Sequence, residues 1–277
     1  MKLEPSLLTL TLLGSVYCLP QSSNLASRMP ARTLNRHSHP LAPVPGGHSG
    51  ELTGFRTANT AAIAYSNNWA GAVRESAPPS GPYTAVSATF TVPHPTAAPG
   101  SSEGMQAGSA WVGIDGDTYS GAILQTGVDF YIENGAVSNN AWFEWFPDYA
   151  YDFNLAVHTG DVIVAKVESC SHSEGVAVIE NRSTGETATQ TIGAPRADAT
   201  LTGVNVEWIV EDFQSGDSIV PLADFGEVVF SGCEARTGGG EVLGLDGATI
   251  IELKQAEKVL TEVTVQGDMT LAVECKL

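Results

Sequence analysis

The chain has 277 residues, 13 Lys and Arg against 31 Asp and Glu, and a formal charge of −18. With 43% hydrophobic and only 16% charged residues it is long and apolar enough to bury a substantial core, which excludes a disordered chain. So acidic a surface repels phosphate, which excludes nucleic acid as a partner, and the single long apolar run is N-terminal, which argues against a membrane-spanning protein.

In chain order, Lys2 precedes an apolar stretch at 7–16 that is too short to cross a bilayer, and small residues follow it. This is the pattern of a secretory leader, expected over residues 1–19. Residues 20–56 are rich in Pro, Ser and Gly and hold His37, His39 and His48; they are read as a removable propeptide. Residues 1–56 carry five basic and two acidic residues, a net of +3, whereas the remaining 221 residues carry 8 basic and 29 acidic ones, a net of −21. Opposite charge on two parts of one chain makes them attract near neutral pH.

From residue 57 to 277 strand signals dominate. Runs rich in Val, Ile, Thr and aromatics at 83–92, 162–169, 204–213, 228–231, 249–253, 259–265 and 269–273 are separated by Gly, Asp, Asn, Ser and Pro. No window holds a helical period, and no fixed repeat appears. The expected class is all-β, a sandwich or barrel, with the sandwich favoured.

Alternation sorts side chains by face. Ala122, Leu124, Thr126, Val128, Phe130 and Ile132 form one face of a strand, while Gln125 and Asp129 lie on the other. Val206, Trp208 and Val210 oppose Glu207, Ile209, Glu211 and Phe213; Phe143 and Trp145 oppose Trp142 and Glu144; Trp111, Gly113 and Asp115 share a face. Brought together on one sheet, Asp115, Gln125, Glu144 and Glu211 would floor a groove with carboxyl and amide groups and wall it with aromatics, a composition suited to an extended polymer. Each taken singly reads better as an ordinary strand residue facing solvent.

Cys18 leaves with the leader, so Cys170, Cys233 and Cys275 allow one bridge; Cys233 with Cys275 is the expected pair, leaving Cys170 free. Asn181-Arg182-Ser183 is a glycosylation sequon.

The usual hydrolytic constellations are missing. There is no Gly-x-Ser-x-Gly elbow, no Asp-Thr-Gly or Asp-Ser-Gly, and no His-Glu-x-x-His; Asp115-Gly116-Asp117 is half a calcium loop and reads better as a turn. Neither metal nor cofactor is expected. Carboxylate chemistry aided by an amide remains: a carboxylate activates water as general base and returns the proton to the leaving group, while a Gln amide orients that water and donates to an oxyanion. A β-sandwich glycoside hydrolase working through Glu144 and Glu211 is an alternative, and a non-catalytic lectin-like sandwich another.

Six ordered blocks then carry a resemblance: Ser66–Ala72 (SNNWAGA), Thr91–Pro93 (TVP), Ala110–Gly116 (AWVGIDG), Ile123–Asp129 (ILQTGVD), Ala141–Pro147 (AWFEWFP) and Ile209–Phe213 (IVEDF). Together they make the chain similar, from about residue 66 to its end, to the eqolisins, the glutamic peptidases of peptidase family G1 secreted by fungi. The resemblance implies a concanavalin-like β-sandwich of two seven-stranded antiparallel sheets and a secreted, monomeric endopeptidase acting at acid pH on protein or peptide substrates. It implies Glu211 as general base and then acid, and Gln125 as the residue that orients water and stabilises the oxyanion. Trp111, Asp115, Asp129 and Glu144 take supporting roles in the groove. Glu207, four residues earlier on the same face, is the competing choice for the catalytic carboxyl. Tyr119 and Thr202 stand where the family would have a disulfide. The basic propeptide is expected to lie against the acidic groove and inhibit it until acidification weakens the attraction.

Overall fold

Alternating side chains produce strands throughout the described residues, which are 36–45, 63–100 and 104–277 of this computed structural model. The expected leader (1–19) and the expected propeptide (20–56) other than residues 36–45 lie outside them. Thirteen strands have five residues or more: β1 Trp69–Arg74, β2 Tyr83–Thr91, β3 Met105–Ile114, β4 Ile123–Glu133, β5 Ala136–Phe146, β6 Val162–Ser171, β7 Glu174–Asn181, β8 Glu186–Gly193, β9 Val206–Glu211, β10 Glu227–Thr237, β11 Thr249–Gln255, β12 Thr261–Val265 and β13 Thr270–Cys275. Among the described residues there is no helix, hence none able to cross a membrane.

The strands form two packed sheets. The first runs β11-β1-β9-β3-β4-β5 and gains three short strands, two at its ends and Ile63–Ser66, which pairs with β11 in parallel. The second runs β8-β7-β6-β2-β10-β13-β12, with Val242–Leu243 added beside β10. The expected pair of seven-stranded antiparallel sheets is thus a nine-stranded and an eight-stranded sheet, the excess being short edge pieces, with one parallel pairing.

The core lies between them. Val112, Leu124, Val128, Phe130, Phe143, Trp145, Trp208 and Val210 from the first sheet meet Val86, Phe90, Ile163, Val167, Ile179, Phe230 and Val273 from the second. Each such side chain fully buried contributes roughly 1.5–3 kcal/mol. Of these, Leu124, Val128, Phe130, Phe143, Trp145, Trp208 and Val210 are on the strand faces that alternation set opposite the groove residues. The outer face of the first sheet is buried as well: Trp69, Trp111, Trp142 and Ile209 form a second apolar cluster there, with polar groups set among them.

Two expectations are corrected. Cys233 and Cys275 are free thiols. In the β10–β13 ladder Glu227 opposes Glu274, so Cys275 sits at one end of the pairing and Cys233 beyond the other. At ~3.3 Å per residue they are on the order of 20 Å apart, whereas a disulfide needs Cα atoms roughly 4.4–6.8 Å apart. Cys170, expected to be free, is disulfide-bonded. Asn181 is fully buried, and its amide nitrogen donates to Asp161 at 2.8 Å while its oxygen accepts from the backbone of Ser183 and Thr184. It is a turn anchor with no exposed nitrogen for a glycan in the folded chain.

Candidate active site

Strand register brings the groove residues together in rows. Across β9, β3, β4 and β5 the first row is Glu207, Gly113, Gln125, Glu144; the second is Ile209, Trp111, Gly127, Trp142; the third is Glu211, Ser109, Asp129, Asn140. All belong to the outer face of the first sheet, because each row is two residues from the next. Trp111 lies flat enough across this face that both glycines beside it are needed: a Cβ on Gly127 would lie 2.5 Å from Trp111 Cβ, and one on Gly113 2.8 Å from its Cζ3.

Gln125, Asp129 and Glu144 are fully buried, and Glu211 almost so. Trp111 Nε1 donates to Glu211 Oε2 at 3.0 Å. Asp129 accepts from Ser109 Oγ at 2.6 Å and from the Tyr131 hydroxyl at 2.7 Å, and Trp142 Nε1 donates to Ser109 Oγ at 3.1 Å. Both amide atoms of Gln125 are without a hydrogen-bond partner among the described residues.

What covers these acids is residues 36–45. The Arg36 guanidinium, fully buried, donates to Glu144 Oε2 at 3.0 Å and to Asp129 Oδ1 at 3.4 Å, and lies 3.7 Å from Glu211 Oε2. Its carbon sits 3.9 Å from the Trp142 ring centroid and 4.6 Å from that of Phe213, a cation held between two aromatic faces. Ser38, which also receives a bond from Arg36, donates its hydroxyl to Glu211 Oε2 at 2.7 Å, and the His39 N–H donates to Glu211 Oε1 at 3.2 Å. Burial pushes the Glu211 carboxyl above the ordinary range; Arg36, Ser38 and His39 oppose that shift by favouring the charged form.

Asp115 does not join the groove. It follows the last residue of β3 at a positive φ of 65°, and its carboxylate faces residues 202–205. There it accepts from the backbone N–H of Thr202, Gly203, Val204 and Asn205 at 2.6, 3.0, 2.9 and 3.3 Å, and from the Thr202 hydroxyl at 3.1 Å. Tyr119, at the other position where a bridge was expected, donates its hydroxyl to the Thr200 carbonyl at 2.8 Å. Hydrogen bonds hold these two segments together in this chain.

The sequence reading missed Arg36, Ser38 and Ser109 as site residues. The +3 charge of residues 1–56 signalled that something basic covers the acids, without saying which residue.

The sequence profile described as "Peptidase A4 family" matches residues 67–275. The chain belongs to this family, the eqolisins. Aspergillopepsin-2 of Aspergillus niger is 44% identical over 266 residues, covering 90% of this chain and 91% of the relative. Scytalidopepsin B of Scytalidium lignicola is 36% identical over 221 residues, 77% of this chain and 80% of that one. Among solved structures, scytalido-glutamic peptidase with a transition state analog inhibitor superposes with a TM-score of 0.67 at 34% identity, covering 76% of this chain and 98% of its own. Aspergilloglutamic peptidase from Aspergillus niger gives 0.59 at 49% identity, covering 62% and 99%. This eqolisin is accordingly a glutamic peptidase, a hydrolase of peptide bonds, built on an all-β sandwich.

Proposed function

We propose that this eqolisin is a secreted acid endopeptidase in which Glu211 and Gln125 divide the chemistry. The observation that carries this reading is the mode in which residues 36–45 lie on the acidic face. An extended peptide of the chain itself occupies the groove, with donors from consecutive residues on the two oxygens of Glu211. A groove that takes that peptide takes others, and the related scytalido-glutamic peptidase is described with a peptide based transition state analog.

With substrate in place of this segment, Glu211 takes a proton from water, and the resulting hydroxide attacks the scissile carbonyl carbon. Gln125 Nε2 donates to the oxyanion while Oε1 accepts from the attacking water. Glu211 then gives the proton to the departing amine, which breaks the C–N bond and restores the carboxylate. Trp111 orients the carboxylate through its indole N–H; Asp129 and Glu144 bind along the groove. Glu144 paired with Glu211 in a glycosidase would leave Gln125 without a task, and family membership disfavours that reading.

Residues 20–56 serve in this reading as an inhibitory propeptide. The Ser38 hydroxyl and the His39 N–H occupy the two oxygens of Glu211, so the carboxylate is engaged by donors and is not free to take a proton from water. The reading is tested by digesting a denatured protein at pH 3 with the full chain and its E211Q and Q125A variants. Cleavage by the unmodified chain alone is expected; equal cleavage by all three overturns the dyad.

A further inference from the structure

Glu207 is a groove-face carboxyl that this chemistry leaves without a task. It is fully buried, and both its oxygens lack a hydrogen-bond partner among the described residues. The same holds for both amide atoms of Gln125, in the same row of the sheet. The residue between them is Gly113, with no side chain to separate them. A Cβ at that position would lie 2.6 Å from Glu207 Oε1 and 3.3 Å from Gln125 Cβ, so the two side chains flank a single point beneath the Trp111 ring.

We infer that Glu207 is a positioning residue, whose protonated carboxyl donates to Oε1 of Gln125 across Gly113 and thereby turns Nε2 toward the substrate oxyanion. This rests on the assignment of Gln125 to the oxyanion. A carboxamide held at neither end turns over easily, and only one of its two orientations offers the oxyanion a donor. A donor fixed behind Oε1 selects that orientation, and Oε1 keeps a second lone pair for the attacking water. Glu207 has its proton for this: the charged groups facing it are the acids Asp115 and Asp117, and burial with their repulsion raises its carboxyl well above the ordinary range. Arg36 contacts the acids of the other rows, Glu211 and Asp129, and Glu144 at the far end of this row.

The test compares the full chain with E207L, E207Q and Q125A, after identical acid exposure, measuring kcat and KM on a peptide at pH 3 and the thermal midpoint of each. Leucine fills the volume without a donor, whereas glutamine donates N–H to the same oxygen. E207L is expected to lose about 10²-fold in kcat with KM changed less than about twofold, and to melt close to the unmodified chain, because the one hydrogen bond given up is offset by no longer burying a carboxyl. E207Q is expected to retain most of the turnover. The inference is overturned if E207L keeps kcat within about threefold, if it loses activity and thermal midpoint together, or if E207Q is as impaired as E207L. Should Q125A remain active, the dyad itself falls; should Q125A be inactive while E207L is active, the role of Glu207 alone falls.

Discussion

Asp115 and Glu211 are both buried carboxyls of the same sheet region, yet one holds the fold and the other is held by a segment far away in the chain. Asp115 satisfies four consecutive backbone N–H groups, so truncation would strand all four. D115A is expected to destabilise the chain by roughly 3 kcal/mol, read from the urea midpoint; a loss below ~1 kcal/mol would remove Asp115 from this role. Glu211 is different, since its donors belong to residues 36–45 and to Trp111. E211Q should lower kcat by about 10²–10⁴ without lowering the thermal midpoint, because the amide removes the base but not a buried support. Alternation alone had already put Glu207, Ile209 and Glu211 on one face. That Asp115 leaves the row was hidden, because its carboxylate faces the 202–205 loop, which lies far along the chain.

Residues 36–45 act as one more strand-like element laid on an acidic floor. Backbone bonds fix both ends, Ala150 N–H to the Arg36 carbonyl at 3.2 Å and Val44 N–H to the Tyr65 carbonyl at 2.9 Å. Between them Arg36 is the charged anchor. Truncating one partner of a buried charge pair costs about 2–5 kcal/mol. A synthetic peptide of residues 36–45 added to acid-activated enzyme at pH 6 is therefore expected to inhibit, and R36A to weaken it by at least about 30-fold. A wild-type peptide without effect at pH 6 would sink the inhibitory reading. The same element carries its pH response. His37 and His39 are held below the ordinary imidazole range by burial, with Arg36 adding to it and Asp148 opposing it at His37. Docked, they bind fewer protons than when free, so docking is favoured above the free imidazole pKa and weakens as pH falls. At the level of elements, β2, β6, β9 and β11 were legible as β-branched and aromatic runs. β8 was not: it is an edge strand rich in Thr with much of its surface exposed, so it carries little apolar signal.

Over the whole molecule the buried acids set the pH at which the sandwich is stable. Burial raises Asp212 from 3.8 to about 7 and, together with Glu75, raises Asp117 to about 6; Glu207 is also raised. The folded state therefore holds protons that the unfolded chain releases. The stability they contribute is complete below about pH 4 and is lost as pH rises through 6 to 7. Asp212 alone accounts for on the order of 4 kcal/mol of it. Thermal unfolding followed from pH 3 to 9 should give its highest midpoint near pH 3–4, and a midpoint that peaks above pH 8 contradicts the account. Self-repulsion among the 29 acidic residues beyond position 56 acts in the same direction.

The amino-acid order by itself determined which face each strand residue takes, the all-β class, the six blocks that mark an eqolisin, and the opposite charge of the two parts of the chain. These are local or compositional properties: side-chain direction alternates every residue, and charge can be counted without knowing where it lies. Tertiary structure decided the rest. Glu207, Gly113, Gln125 and Glu144 share a row only because four strands pair in one register, and Arg36 meets Glu144 across a separation of 108 positions in the chain. Register likewise keeps Cys233 from Cys275. Pairing between distant strands is settled by the packing of two whole sheets, and no local run of residues encodes it.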